Sequence, residues 1–179
     1  MTQPQNATGT TMPISLTELV ALLVAMTAVV ALAIDMMLPA LDDIAGDLGV
    51  RSENDQQFVI GVYLTGFGFA QLFYGPLSDR FGRKIVIQFA LAFFIVTSLV
   101  CTLTPTFDML LVARFFQGAA AAACRVIATA IARDLTSGRR MAEVMSMVMT
   151  AFMAVPVLAP MMGQAILTFA PWRWIFAFL

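Results

Sequence analysis

Three ionisable side chains lie inside long apolar runs of this sequence, where a charge is costly. They are Asp35, Arg114 and Arg125. A charge at the centre of a bilayer costs several kcal/mol, so such residues face a bundle interior and mark functional sites by default. A carboxylate at that depth can take up and release a proton, and Asp35 is therefore the candidate proton-binding group.

Asp35 and Arg114 are expected at similar depths. Asp35 lies four residues before Pro39, and Arg114 lies six residues after Asp108 on a helix of opposite direction. With a rise of about 1.5 Å per residue, both sit at one level of the bundle. They could form a pair or share a water-filled cavity. The alternative is that Asp35 is solvated near the headgroups beside Pro39.

Arg114 and Arg125 are predicted to share a helix face. They are eleven residues apart, about three helical turns, and Gln117 and Gly118 lie on the same face. This arrangement suits a polar pathway or substrate cavity formed by Gln117, Gly118 and Arg125. In the alternative, Arg125 reaches toward the headgroups with its long side chain.

The surrounding composition is that of a membrane protein. The 179 residues are 60% hydrophobic and 12% charged, with a mean hydropathy of +0.88, and the apolar runs lack the polar stripe of a soluble helix. A helix needs about 20 apolar residues to span a bilayer. The sequence predicts an all-α membrane protein with spans at residues 14–41, 56–74, 85–103, 108–132 and 141–169.

The two ends of the chain carry separate expectations. Residues 172–179 begin a sixth helix but are too few to cross a bilayer, so we expect the sequence to be a fragment of a longer protein. Residues 1–13 are expected to be a disordered cytosolic tail. The domain prediction is thus a tail at 1–13 and a transmembrane unit at 14–179.

Orientation follows from the basic residues of the short connections. Six of them lie after the second and fourth spans, and only Arg51 and Arg173 lie in the opposite connections. This bias places the N-terminus in the cytosol. The six are Arg80, Arg83, Lys84, Arg133, Arg139 and Arg140.

Small residues and prolines predict how the helices pack. Gly61, Gly68 and Gly75 recur every seven residues and are expected to form a packing seam. Gly118 followed by residues 119–123, all alanine, predicts close packing of the fourth span. In the fifth span, Pro156 and Pro160 with Gly163 are expected to interrupt the helix.

Several chemistries are unsupported by the residues present. The sequence has no histidine, no phosphate-binding glycine loop and no cysteine cluster for a metal. Cys101 and Cys124 are expected to be small core residues rather than a disulfide. We expect no enzymatic activity, no metal, no cofactor and no nucleic-acid partner.

The ten residues GPLSDRFGRK resemble the signature between helices 2 and 3 of major facilitator superfamily transporters. The matching positions are Gly75, Asp79, Arg80, Gly82, Arg83 and Lys84. In that family this segment is a cytoplasmic gate loop. The residues suit the role, because Asp79 can accept from Arg83 or from helix N-termini, and Gly75 and Gly82 permit a tight turn.

Three further stretches resemble motifs of the twelve-helix drug:proton antiporters. LAIDMMLPAL, with Asp35, is most similar to the bicyclomycin and chloramphenicol resistance branch, and ARFFQGAAAAA matches the helix 4 motif through Arg114, Gln117 and Gly118. AVPVLAPMMGQ resembles the helix 5 antiporter motif. Its matching residues are Pro156, Pro160 and Gly163, whereas Ala120, Ala159 and Gln164 depart from the family patterns.

The resemblance implies the N-terminal six-helix bundle of a major facilitator fold, with the sixth helix truncated and the C-terminal half missing. It implies proton-coupled export of drug-like or small amphipathic molecules by alternating access, with Asp35 and Arg114 in proton coupling. The expected partners are the substrate, protons and the lipid bilayer, and the expected location is the inner membrane. The alternatives are transport of a metabolite in either direction, or a membrane scaffold that does not transport.

Overall fold

The computed structural model describes residues 15–50 and 54–179, and its regular structure over those ranges is helical with no strand. The expected disordered tail at residues 1–13 and the outer-loop residue Arg51 lie outside the described residues. The α-helices are α1 (Leu16–Asp35), α2 (Leu41–Asp47), α3 (Phe58–Phe81), α4 (Arg83–Leu103), α5 (Phe107–Leu135), α6 (Gly138–Phe152), α7 (Val155–Phe169) and α8 (Arg173–Phe178).

Five stretches of the described chain are long and apolar enough to cross a membrane, which confirms the predicted all-α membrane fold. Large apolar side chains such as Phe89, Leu103 and Phe169 are exposed on the outside of the bundle. A soluble protein would bury such a surface, whereas lipid covers it in a membrane. The five stretches are Leu16–Asp47, Asp55–Phe81, Arg83–Leu103, Phe107–Leu135 and Gly138–Phe169.

The first span begins with a side-chain cap and is broken near its far end. The Ser15 hydroxyl accepts from the Glu18 amide at 3.2 Å, and the Glu18 carboxylate accepts from the Ser15 amide at 2.8 Å, a reciprocal cap. The α-helix stops at Asp35, and a 3-10 turn, Leu38–Ala40, leads into α2. Pro39 lacks the N–H that would continue the hydrogen-bond ladder, which explains the break.

The second span is longer than expected, so most of the segment from Gly75 to Lys84 is helical and not a loop. Helix α3 continues to Phe81 with Pro76 inside it, so Gly75 lies within the helix and forms no turn. The chain reverses at Gly82 alone, whose φ of +86° favours glycine. Helix α4 starts at the next residue, Arg83. We therefore call residues 75–84 the α3–α4 segment.

The fifth span is divided as predicted, although the break precedes the prolines. Helix α6 ends at Phe152 and α7 begins at Val155, one residue before Pro156. Proline is favoured at the start of a helix because its missing N–H has no partner there anyway. Pro160 lies inside α7.

Helix α5 is the centre of the bundle, since it packs against α1, α3 and α4. Gly118 is buried, and so are the alanines from Ala120 to Ala123, which confirms the expected close packing of this helix. Apolar clusters fill both ends of the bundle, one around Ile127 and the other around Phe176. A smaller cluster around Tyr63 lies between them along the helices.

The predicted glycine seam on the second span is wrong. A Cβ added at Gly61, Gly68 or Gly75 would meet no atom within 4 Å. The close approach of α3 to α5 instead uses Gly66 and Gly118. A Cβ there would lie 2.0 Å from a backbone oxygen of the other helix, that of Phe115 and of Tyr63 respectively.

Candidate functional site

Arg114 lies in the first half of α5, and its side chain is fully buried. Nε donates to the Val59 carbonyl on α3 at 3.2 Å, and Nη2 donates to the Ala33 carbonyl on α1 at 3.1 Å. One guanidinium thus joins α5 to two of its neighbours, α1 and α3. Its planar set of five donors makes arginine suited to several acceptors at once.

A buried amide completes the hydrogen bonding of this arginine. Nη1 of Arg114 donates to Oε1 of Gln117 at 2.7 Å. Nε2 of Gln117 donates in turn to the Ser98 hydroxyl on α4 at 2.6 Å. The network therefore spans α1, α3, α4 and α5, and each of these side chains is buried.

Aromatic rings contribute to the surroundings of the Arg114 charge. The guanidinium carbon lies 4.4 Å from the centre of the Tyr63 ring and 5.7 Å from that of Phe176. Ring faces are negative and attract a desolvated cation. No carboxylate in the described ranges forms an ion pair with Arg114, so carbonyls, an amide and ring faces stabilise the buried charge.

Asp35 is the last residue of α1 and is partly buried. Within the part of the chain that the structure describes, its side chain forms no hydrogen bond or ion pair. Of the two arrangements expected for Asp35 and Arg114, the direct ion pair is thus not formed in this conformation. The two residues are linked through the backbone, because Arg114 binds the carbonyl two residues before Asp35.

The Ala33 carbonyl is open to Arg114 because the helical ladder changes at this point. The Met37 amide would bond to Ala33 in a continuous α-helix, but it donates to the Ile34 carbonyl at 3.3 Å. The last carbonyls of any helix lack intrahelical partners. Arg114 donates to one of these carbonyls, that of Ala33, and so caps the end of α1 two residues before Asp35.

The predicted polar pathway is divided between two environments. Gln117 is buried in the Arg114 network, and Gly118 packs against the α3 backbone at Tyr63. Arg125 is exposed, although it lies on the same helix. The structure therefore does not place Gln117 and Gly118 on the wall of a cavity, and it separates both of them from Arg125.

Arg125 lines a groove between α3 and α5 together with residues of the α3–α4 segment. The groove has a volume of about 390 Å³. Arg83 and Arg133 are also part of its wall, and Asp79 adds a carboxylate. Arg80 follows Asp79 in the sequence and Lys84 follows Arg83, and both of these basic residues are exposed.

Arg83 forms its ion pair with Asp134 near the end of α5, whereas the sequence led us to expect Asp79. Asp79 is exposed and has no hydrogen bond or ion pair among the described residues. The pair ties the start of α4 to the end of α5. Sequence reasoning missed Asp134, which is recognisable only as an acid following Arg133 in a basic connection.

The helix 5 motif packs against the break in the first span. A Cβ added at Gly163 would lie 2.1 Å from the Met36 carbonyl oxygen, so α7 approaches the end of α1 as closely as backbones allow. Ala159, one turn earlier, is fully buried. Pro156 is exposed.

Sequence reasoning also missed a polar cluster at the end of the bundle opposite the α3–α4 segment. The Asp47 carboxylate accepts from Nε1 of Trp172 at 3.1 Å and forms an ion pair with Arg173. Arg173 also donates to the Thr104 carbonyl at 3.3 Å and lies over the Trp172 ring. We call Asp47, Trp172, Arg173 and Thr104 the loop clamp. The Trp-Arg dipeptide was the available sequence signal.

These features define a class of protein: a multi-pass helical membrane protein whose bundle holds a buried cation at the end of a broken helix. The chain belongs to the major facilitator superfamily, since a sequence model described as Major Facilitator Superfamily matches residues 23–179. It is 43% identical over 143 residues to "Multidrug resistance protein MdtL" of Klebsiella pneumoniae, and also 43% identical to the protein of that name from Escherichia coli O157:H7. Each match covers 80% of this chain and 36% of the relative.

Proposed function

We propose that this chain is the N-terminal half of a twelve-helix secondary transporter of the bicyclomycin and chloramphenicol resistance branch. The transporter exports drug-like or small amphipathic molecules and takes up protons in exchange. The observation that carries this proposal is the fully buried Arg114, bonded to the helix end beside Asp35 and lacking a carboxylate partner in the described ranges. A buried charge in a membrane span is retained for function.

Asp35 and Arg114 have different roles in this mechanism. Arg114 is held by acceptors on three other residues and serves as a fixed positive charge. Asp35 has no such partners in the described chain and exchanges its proton as access alternates between the two sides. A carboxylate near a fixed cation changes its proton affinity when the distance or the solvation changes.

The relatives support export of drug-like molecules. They carry the name of a multidrug resistance protein, and this chain spans about a third of their length. The substrate would lie between this half and a second half, as alternating access requires. Exposed methionine and phenylalanine side chains, which adapt to varied apolar ligands, are available on this half at Met161, Met162 and Phe116.

The topology that we propose has the N-terminus in the cytosol and the protein in the inner membrane. The basic connections after α3 and α5 support it through the positive-inside rule. The α3–α4 segment then lies at the cytosolic face, where the Arg83 and Asp134 pair joins two helix ends. Asp79 remains open for contact with the second half.

The test is proton-driven efflux by the complete transporter in membrane vesicles with an imposed pH gradient. Asp35→Asn is expected to abolish efflux, because an amide cannot carry the proton. Asp108→Asn is the matched control, since Asp108 is an exposed carboxylate in the first turn of α5. Undiminished pH-driven efflux by Asp35→Asn, with the control also active, would refute the assignment.

A further inference from the structure

Ser98 differs from the other hydroxyl residues of its helix. The neighbouring Thr97 donates to the Phe93 and Phe94 carbonyls of α4 itself, both at 2.9 Å. That local bond is how membrane helices usually satisfy a hydroxyl. The Ser98 hydroxyl instead accepts a bond from another helix, from Nε2 of Gln117 at 2.6 Å.

The chemistry of the two groups fixes the orientation of the Gln117 amide. A guanidinium carries donors only, so Arg114 requires the carbonyl end of the amide. The NH2 end must then point away from Arg114, into the protein interior, because Gln117 is 0% exposed. A buried donor without a partner costs free energy, and Ser98 supplies the acceptor that this orientation needs.

The orientation of Gln117 also affects the contact between Arg114 and the end of α1. Gln117 holds Nη1 of Arg114, and Nη2 of the same planar group binds the Ala33 carbonyl. A guanidinium is rigid, so a displacement at one nitrogen moves the other. The position of the cation below Asp35 therefore depends on a chain of contacts that starts on α4.

We propose that Ser98 is a positioning residue for proton coupling, acting through Gln117 to hold the Arg114 guanidinium against the end of α1. The inference rests on the proposed function, because it assumes that Asp35 and Arg114 couple transport to protons. It adds a residue on a helix that contributes no other member of this network.

The test compares two activities of the complete transporter in vesicles. One is efflux driven by a pH gradient, and the other is exchange of labelled for unlabelled substrate at equal pH on both sides. Ser98→Ala is expected to lower the ratio of driven efflux to exchange by about tenfold. This is the effect of weakening the hydrogen bond between Gln117 and the charged Arg114. A purely structural defect would lower both activities together and leave the ratio unchanged.

Thr97→Val is the matched control, because it removes a buried hydroxyl from the adjacent position without touching the network. Gln117→Leu should lower the ratio as Ser98→Ala does, and the double variant should be no worse than Gln117→Leu alone. If Ser98→Ala does not fold, Ser98→Cys replaces it, with a smaller fall in the same ratio, since a thiol is a weaker acceptor.

The two proposals fail in different ways. A wild-type protein without pH-driven efflux would contradict the proposed function. A coupled wild-type protein in which the Ser98 variant keeps the wild-type ratio, or lowers both activities equally, would overturn the role of Ser98 alone. Additive losses in the double variant would show that Ser98 does not act through Gln117.

Discussion

At the scale of single residues, Arg114 shows how a cation is kept inside a membrane bundle without an ion pair to any described carboxylate. Removing a charge from water is costly, and here the cost is offset by two carbonyls, one amide and the Tyr63 ring. An acidic partner would neutralise the charge locally. Its absence from the described ranges leaves the field of Arg114 to act on Asp35.

Tyr63 allows the ring contribution to be separated from that of its hydroxyl. The hydroxyl is buried without a hydrogen-bond partner in the described chain, whereas the ring faces Arg114. Tyr63→Phe is therefore expected to leave the free energy of unfolding unchanged or to raise it, because the substitution removes a buried polar group that has no partner. Tyr63→Leu should destabilise by about 1 kcal/mol or more, because the cation loses a ring face.

Thermal unfolding of the purified protein in detergent measures both variants. Equal destabilisation by the two would contradict the prediction, since it would mean that the hydroxyl has an energetic role. Unchanged stability in Tyr63→Leu would show that the ring does not stabilise the buried charge.

The sequence predicted the charged members of this site but not the residues that hold them. Asp35 and Arg114 were conspicuous because a charge in an apolar run is rare. Ser98 and Tyr63 are ordinary in a membrane helix, so their types carry little signal. The acceptors at Ala33 and Val59 are backbone atoms, which no residue type can indicate.

At the scale of helices, the crossing of α3 and α5 depends on two glycines. Gly66 and Gly118 each face a backbone oxygen of the opposite helix at a distance that excludes a Cβ. This close approach brings Val59 and Tyr63 within reach of Arg114. The helix packing and the charged site are therefore parts of one arrangement.

Gly118→Ala is expected to destabilise the protein by about 1–3 kcal/mol, as overpacking of a tight contact does. The matched control is Gly61→Ala, because nothing lies within 4 Å of a Cβ there. That change should be neutral or slightly stabilising, since alanine favours a helix. Thermal unfolding in detergent again provides the comparison.

The reverse order of stability, with Gly61→Ala the weaker protein, would contradict the observed packing. It would instead support the seam that the seven-residue spacing of Gly61, Gly68 and Gly75 suggested.

The error about the seam has a geometric origin. A seven-residue repeat identifies a common face of a helix, but not which neighbour that face meets. Gly66 is five residues from Gly61, and at about 100° per residue it lies well around the helix from the repeat. The predicted second span ends at residue 74 because the charged residues near Arg80 favour a loop, but a helix can also carry charges at its end, and α3 continues to Phe81.

At the scale of the whole chain, the loop clamp ties three separate connections together. Asp47 ends α2, Thr104 follows α4, and Arg173 begins α8. A single carboxylate and a single guanidinium thus connect segments that are distant in sequence. The ends of these helices are expected to move as one unit.

Asp47→Asn is expected to lower the unfolding temperature only slightly, because it removes an ion pair that is partly exposed to solvent. The loss should shrink as salt is raised, since ions screen exposed charges. Asp43→Asn is the matched control, because Asp43 lines a groove together with Asp47 and Arg173, but its carboxylate forms no hydrogen bond or ion pair within the described residues. The measurement is the unfolding temperature of each variant at low and high salt.

A deficit in Asp47→Asn that is unchanged by salt would contradict an electrostatic clamp. Equal effects of the two substitutions would show that general surface charge, rather than this pairing, determines the stability.

The backbone acceptors of Arg114 also bear on which genetic changes the site tolerates. Carbonyl oxygens survive almost any substitution at Ala33 or Val59 that the packing allows, so point mutations in α1 and α3 rarely delete an acceptor. Point mutations can remove a hydrogen bond of the network directly at positions 98, 114 and 117, because the side chains of these residues form the bonds. Apart from changes at Asp35 itself, loss-of-coupling variants that act through this network should therefore concentrate at positions 98, 114 and 117, whereas substitutions at Ala33 and Val59 that preserve the packing should leave coupling unchanged.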